Sequence, residues 1–278
     1  MRLGRLAWLL MLPLAAALGL FLFSLGALVW SSFAGADGVP SLDLYARFFA
    51  RRDYVDVLLR TLWVAGLTTL ASLAIGYPVA WAVARHKGRR DWLLVLIILP
   101  WLVSVVVRTY GWIVILGNRG LVNAFLGWLG VLDTPLKLMF NTTGIVIGLV
   151  HVFCPFMILA ILAVFLHIER SLEEASMSLG AGPWLTFRKV ILPLSLPGVI
   201  SGTMIVYLMA TGAIVTPLLL GGLRDRMLGT QIYQEMFQVF DYPKAAAMAV
   251  ILTATALAVV LPLGALERRV SRNMKGAA

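Results

Sequence analysis

Six long apolar segments constrain the fold of this chain more than any other feature of its sequence. They span about residues 8–32, 61–84, 92–116, 143–166, 197–220 and 246–265. Each is long enough to cross a bilayer as a helix of about 20 residues, and only the third contains an interior charge, Arg108. The sequence therefore predicts an all-α integral membrane protein, with one transmembrane domain over residues 1–278.

The composition agrees with a membrane protein and leaves little basis for a metal or redox site. Of the 278 residues, 61% are hydrophobic and 13% charged, whereas about a quarter are charged in ordinary soluble domains. Cys154 is the single cysteine, which excludes an internal disulfide and a Cys-x-x-Cys motif. The three histidines lie far apart without ligand spacing, so no metal is predicted.

Lysine and arginine are distributed unevenly between the two sides of the predicted bundle. With the N-terminus inside, the inner segments carry thirteen of them and the outer loops nine, although the outer loops are longer. With the acidic residues included, the inner side carries +8 and the outer side +1. The positive-inside rule therefore predicts that both termini are cytoplasmic, and the net charge of +10 does not indicate nucleic-acid binding.

Residues 167–196 form a polar segment between the fourth and fifth apolar segments, and we refer to it as the 167–196 loop. Ser171 and Glu174 have the spacing of a capping box, which predicts that a short helix begins at Ser171. Gly180 is typical of a helix end, and Pro183 is typical of the first turn of a second helix.

Two later prolines, Pro193 and Pro197, are expected to end this loop before the fifth span. The pattern predicts two short helices at an angle, which offer Met177, Leu179 and Trp184 to a partner outside the membrane. A surface hairpin without a partner is the alternative that the residues alone leave open.

The same loop resembles the EAA loop of ABC-importer permeases, whose pattern is Glu-Ala-Ala, three residues, Gly, nine residues, Ile, one residue, Leu-Pro. The matching positions are Glu174, Ala175, Ser176, Gly180, Val190, Leu192 and Pro193, with Ser and Val in place of Ala and Ile. The resemblance implies the six-helix type I ABC importer permease fold. It also implies a cytoplasmic coupling helix that contacts an ATPase, with Glu173 and Trp184 in the same contact region.

Three other segments resemble the spermidine/putrescine permease family: residues 107–112, 117–123 and 215–222. This resemblance extends from about residue 55 to the end of the chain. It implies polyamines as the substrate, with Arg108, Tyr110, Trp112 and Thr216 as candidate pathway residues. Related permeases transport iron, thiamine or aminophosphonates, and these substrates are the alternatives.

The resemblance further implies a non-catalytic subunit of the bacterial inner membrane that forms half of a translocation pathway. Its partners would be a second permease subunit (a different chain or a second copy), two copies of an ABC ATPase, a periplasmic binding protein and membrane lipid. The phosphate-loop motif G-x-x-x-x-G-K-[ST] does not occur in the sequence, so ATP and Mg are expected on the separate ATPase.

The charged residues weigh against a secondary transporter and against a membrane enzyme, and they leave two interpretations of Arg108. This arginine lies about 24 Å from the inner end of its span, where it either lines the pathway or extends to the outer headgroups. A secondary transporter usually needs ionisable residues in the membrane, yet the spans offer Arg108 and His151 and no carboxylate. A membrane enzyme would need clustered catalytic side chains, and the sequence contains no such cluster.

Carboxylates that could contact a polyamine occur only outside the predicted spans. A polycation is normally bound through paired carboxylates, so the sequence predicts that a polyamine is recognised mainly by the binding protein. Outer contacts from this chain would then come from Asp225, Glu235 or Asp241.

Overall fold

The computed structural model describes residues 2–34, 39–86, 88–131 and 134–275, with side chains described except at 2–10, 271 and 273–275. Helices dominate these residues, and no strand ladder occurs among them. In chain order the helices are α1 (Arg2–Ser31), α2 (Asp43–Ala50), α3 (Arg52–Arg85), α4 (Arg90–Leu102), α5 (Val105–Leu116), α6 (Leu121–Trp128), α7 (Thr142–Phe165), α8 (Arg170–Ser178), α9 (Pro183–Thr186), α10 (Leu192–Thr211), α11 (Val215–Leu220), α12 (Leu228–Gln234) and α13 (Tyr242–Lys275). Two π-helical turns, Phe187–Ile191 and Glu235–Val239, precede α10 and α13.

Five continuous helical stretches of the described chain are long and apolar enough to cross a membrane. They are Met11–Ser31, Arg52–Arg85, Thr142–Phe165, Pro183–Thr211 and Tyr242–Val270. The prediction of an all-α chain with long apolar spans is therefore confirmed, and five of the six predicted segments overlap these helices.

The remaining predicted span, residues 92–116, is broken rather than continuous, so that prediction is wrong in detail. The chain bends by 90° between Arg90–Leu102 and Val105–Trp128. Val103 and Ser104 are extended at the break. Pro100 removes a backbone hydrogen bond near the end of α4, and the β-branched residues that follow favour helix less than leucine does. The bend therefore divides the segment into two half-length helices.

The fifth predicted span, 197–220, also differs from the structure at both ends. The apolar helix begins at Pro183 and ends at Thr211, and α11 continues as a separate helix after a break at residues 212–214. Pro193 lies in the first turn of α10, directly after the π-helical turn, and Pro197 lies inside the same helix. The prediction that these prolines end the loop is wrong because the helix passes through both of them.

Helices α3, α7 and α10 pack against one another and form the centre of the bundle. Gly198 and Gly202 of α10 face α7, where an added Cβ would lie 3.0 Å from the carbonyl oxygen of Ala160 and 2.7 Å from the Met157 sulfur, respectively. The four-residue spacing of these glycines therefore permits close approach of the two backbones.

The two ends of the bundle differ, and the difference locates the candidate site. Helices α3 and α7 both end, at Arg85 and Phe165, on the side that carries α8 and α9. We call residues 170–191 the elbow, this side the elbow end, and the opposite side the far end. At the periphery α1 packs against α13, and residues 11–30 of α1 are exposed.

Candidate functional site

The first helix of the elbow begins two residues earlier than the capping box predicts. Its N-cap is Glu169, and Ser171 lies in the first turn, where its hydroxyl donates to Glu169 Oε2 at 3.0 Å. The predicted Ser171–Glu174 capping box is therefore wrong. The cause lies outside the segment: Arg170 donates to the Arg85 carbonyl oxygen at 2.9 Å, and Glu173 forms an ion pair with Arg85. These contacts hold the first turn against the end of α3.

Gly180 ends this helix in the way that the sequence predicts. Its φ is +87°, in the left-handed region that glycine adopts without strain. The Gly180 N–H donates to the Met177 carbonyl oxygen at 2.9 Å, and the Ala181 N–H donates to that of Ser176 at 3.2 Å. These two bonds form a Schellman motif, which fixes the direction of the chain as it leaves α8.

Pro183 occupies the first turn of the second helix, as predicted, and this helix continues through the π-helical turn into α10. The Ser176 and Thr186 hydroxyl oxygens lie 3.1 Å apart, which joins the two helices of the elbow. Phe187 packs on Trp184 and against Tyr77 of α3, with ring centroids 5.6 and 6.0 Å apart. The elbow is therefore a rigid extension of the bundle.

Large apolar side chains of the elbow are exposed. Leu179 is 89% exposed, Trp184 72% and Met177 48%. Glu174 and Ala175 are also exposed, whereas Glu173 is partly buried against Arg85 of α3 and Ser176 is partly buried against Thr186. Apolar groups on a rigid protrusion outside the spans suit a protein–protein contact.

Leu192 and Pro193 complete the predicted motif, but they belong to a membrane helix rather than to the exposed surface of the elbow. Both lie in the first turn of α10, and the preceding Ile191 is buried. They connect the elbow to the centre of the bundle, because α10 packs against α3 and α7.

Three candidate pathway residues lie on α5, after the break in the third span. Trp112 donates from Nε1 to His151 Nδ1 at 3.3 Å, and both residues line an apolar cavity of about 510 Å³ between α3, α4, α5 and α7. Tyr110 is exposed. Arg108 is partly buried, and its Nε and Nη1 have no hydrogen-bond partner in the described part of the chain.

Thr216 lies on α11, which packs against α5, and the three candidate carboxylates make contacts within the chain. Thr216 is buried on α11, against Gly148 of α7. Asp225 Oδ1 accepts a hydrogen bond of 2.7 Å from the Thr142 hydroxyl, and Asp241 Oδ1 accepts one of 3.2 Å from the Lys244 N–H. Within the described residues, no hydrogen bond or ion pair joins Thr216, Asp225 or Asp241 to Arg108.

Glu235 is the most enclosed of the candidate carboxylates. It is 4% exposed, and its Oε1 lies 2.7 Å from Lys244 Nζ and accepts a 3.1 Å hydrogen bond from Gln231 Nε2. Its charge is therefore balanced within the chain. Among the described residues no group of three His, Cys, Asp or Glu side chains is arranged to hold a metal ion.

Sequence reasoning missed the roles of Arg85 and Lys244. In the sequence, Arg85 is one of several basic residues after a long apolar segment, and its partners Arg170 and Glu173 lie more than 80 residues further along the chain. The apolar run up to Arg85 predicts that the helix ends there. It gives no indication of the contact with the elbow.

Comparisons with known proteins agree with this arrangement. The sequence profile of the family described as "Binding-protein-dependent transport system inner membrane component" matches residues 72–275. The spermidine/putrescine transport system permease protein PotB of Escherichia coli strain K12 is 38% identical over 217 residues, which cover 77% of this chain and 78% of that protein. The inner membrane ABC transporter permease protein YdcU of the same strain is 30% identical across 90% of this chain and 91% of that protein.

A solved structure has the same architecture. One chain of a bacterial alginate ABC transporter, crystallised in complex with an alginate pentasaccharide-bound periplasmic protein, matches with a TM-score of 0.78 at 21% identity. The match covers 95% of both chains. The predicted ABC importer permease fold is therefore confirmed.

Proposed function

Because the chain belongs to the family of inner-membrane components of binding-protein-dependent transport systems, we propose that it forms half of the translocation pathway of an ABC importer for polyamines. One observation carries the substrate class: the identity of 38% to a spermidine/putrescine permease over most of both chains. The chain is a multi-pass membrane protein and a transport subunit rather than an enzyme.

The partners follow from the family and from the two ends of the bundle. A second permease subunit would complete the pathway, and two copies of an ABC ATPase would bind ATP and Mg. A periplasmic binding protein would deliver the substrate. The excess of lysine and arginine on the side of the elbow supports an orientation with the elbow and both termini in the cytoplasm and the far end facing the periplasm.

The elbow is the proposed contact with the ATPase. Leu179 and Trp184 are the most exposed of its large apolar side chains, and burial of such groups is the main source of affinity in a protein interface. Helix α9 continues through the π-helical turn into α10 without an intervening loop. A displacement of the elbow by the ATPase would therefore move α10 directly, and with it the centre of the bundle.

The chain itself offers little for tight binding of a polycation. Glu235 is paired with Lys244, while Asp225 and Asp241 accept hydrogen bonds from Thr142 and from the backbone of α13. These contacts support the proposal that the periplasmic protein supplies substrate specificity and that this subunit provides a gated path.

Substrate uptake by cells tests this function. The chain would be produced with its partner permease, ATPase and binding protein in a bacterial strain without polyamine uptake. We expect labelled putrescine or spermidine to accumulate, and an ATPase variant unable to hydrolyse ATP to abolish the accumulation. Uptake of thiamine, iron or an aminophosphonate in place of polyamine would contradict the substrate class while retaining the importer.

A further inference from the structure

The connection between the elbow and α3 differs from the connections to the other two central helices. The elbow joins α7 through the short segment 166–169 and joins α10 through a continuous helix. Helix α3 ends about 80 residues earlier in the chain, so its attachment to α8 depends on side chains. Within the described residues, every hydrogen bond and ion pair between α3 and α8 involves Arg85.

Arg85 makes two contacts with α8, one through its side chain and one through its backbone. The guanidinium pairs with the carboxylate of Glu173, which is 17% exposed, and the carbonyl oxygen accepts the 2.9 Å hydrogen bond from Arg170 Nη2. Two contacts at one residue restrict rotation as well as separation of the two helices. An ion pair that is largely shielded from water is also screened less by salt than one on the surface.

The π-helical turn that follows α9 is attached to the same third of α3 as α8 is. Phe187 packs against Tyr77 and Trp81, with ring centroids 6.0 and 6.1 Å apart, and the Tyr77 hydroxyl lies 2.9 Å from the Ser195 hydroxyl of α10. Helix α8 and the π-helical turn after α9 are thus both attached to the last three turns of α3. A displacement of the elbow cannot leave this part of α3 in place without breaking these contacts.

We propose that Arg85 is a positioning residue that makes α3 a second helix driven by the elbow, alongside α10. This inference rests on the proposed function, because it assigns the path by which ATPase movement reaches the pathway. Helix α3 lines the apolar cavity beside the broken span, where its Ile75 lies near Leu96 and Trp112. Movement of α3 therefore changes the shape of this cavity directly.

A charge exchange tests the pair in the purified complex with its partner permease, ATPases and binding protein. Arg85→Glu and Glu173→Arg are each expected to lower the substrate transported per ATP hydrolysed by about two- to thirtyfold, the range ordinary for one residue of a coupling network. Arg85→Glu combined with Glu173→Arg restores the opposite charges and is expected to recover most of the ratio. Arg89→Glu is the matched control, because Arg89 is an exposed arginine in the segment between α3 and α4. It is expected to keep the wild-type ratio of substrate transported to ATP hydrolysed.

A second readout does not depend on the identity of the substrate. In a Cys154→Ala background, Ile75→Cys reports the accessibility of α3 through its rate of reaction with a maleimide. We expect this rate to change when ATP and vanadate trap the ATPases, the change to be lost with Glu173→Arg, and the exchanged pair to regain it. Should a charge reversal prevent assembly, the neutral variants Arg85→Gln and Glu173→Gln are measured in the same way.

The two readouts separate this inference from the proposed function. A complex that moves no polyamine but shows the Ile75→Cys change contradicts the substrate and leaves the role of Arg85 intact. Wild-type coupling and labelling in the single variants would overturn the inference. Failure of the exchanged pair to recover either property would overturn it as well, because the role requires the pairing and not merely the two residues.

Discussion

Gly180 is the residue at which the elbow depends most directly on the absence of a side chain. Its φ of +87° and the two hydrogen bonds of the Schellman motif set the angle between α8 and α9. Replacement by alanine leaves space for the methyl group, since no atom lies within 4 Å of the added Cβ, but it strains the backbone by about 1–2 kcal/mol.

We therefore expect Gly180→Ala to insert normally and to lower both the transport rate and copurification of the ATPase, with Gly180→Leu more severe. Gly182→Ala is the matched control, because Gly182 has φ of −70° and equally open surroundings. Equal transport by the Gly180 and Gly182 variants would mean that the direction of the elbow does not matter for coupling.

Glu235 and Lys244 form the ion pair that fixes the start of α13 at the far end. Lys244→Met leaves the nearly buried carboxylate without its cation, which costs about 1–3 kcal/mol or more. We expect a lower thermal unfolding temperature in detergent, and partial recovery on adding Glu235→Gln. Lys137→Met, at an exposed lysine, serves as the control. A pair that contributes nothing would leave Lys244→Met as stable as the control.

At the scale of the helices, the close packing of α7 and α10 depends on small residues. Gly202→Val places a branched side chain against Met157, and overpacking of this kind costs about 1–3 kcal/mol. We expect less folded protein in the membrane and a lower unfolding temperature. Gly66→Val on α3 is the control, since its added Cβ meets no atom within 4 Å. Similar stability of the two variants would indicate that α7 and α10 separate at little cost.

The elements that sequence reasoning located correctly are those governed by local chemistry. Apolar length locates the membrane helices, and Gly180 and Pro183 mark the end of α8 and the start of α9. The errors arise where distant contacts or backbone adjustments decide. The contacts with Arg85 place the N-cap of α8 at Glu169 rather than Ser171, and the π-helical turn carries the helix past Pro193. The contact with Arg85 involves a residue outside the loop, whereas the π-helical turn lies within the loop and is not visible from the residue types.

For the candidate site, too, the sequence predicts local features and does not reveal contacts between elements. The pattern of two short helices predicts the exposure of Met177, Leu179 and Trp184, because it depends on residue types along one local segment. The candidate carboxylates are chosen by charge alone, and the sequence does not reveal that Glu235 pairs with Lys244 or that Asp225 bonds to Thr142. Lys244 lies close to Glu235 along the chain, whereas Thr142 lies far from Asp225. The packing of the far end decides both pairings.

At the scale of the whole molecule, the distribution of charge makes a prediction about topology. In a Cys154→Ala background, single cysteines at Gly88 and Leu179 should react with a membrane-impermeant maleimide only after the cells are opened. Cysteines at Pro40 and Leu223 should react in intact cells whose outer membrane has been permeabilised. The reverse pattern, or a C-terminal tag accessible from the periplasm, would contradict cytoplasmic termini.

The central claim is that this chain is a permease through which ATP hydrolysis at the elbow end drives polyamine import from the far end. The most direct test is accumulation of labelled spermidine in proteoliposomes containing the complete complex, with ATP enclosed in the lumen and the loaded binding protein outside. The account predicts accumulation that requires lumenal ATP and the binding protein, and that Gly180→Leu abolishes. Accumulation driven by an ion gradient without ATP would contradict it.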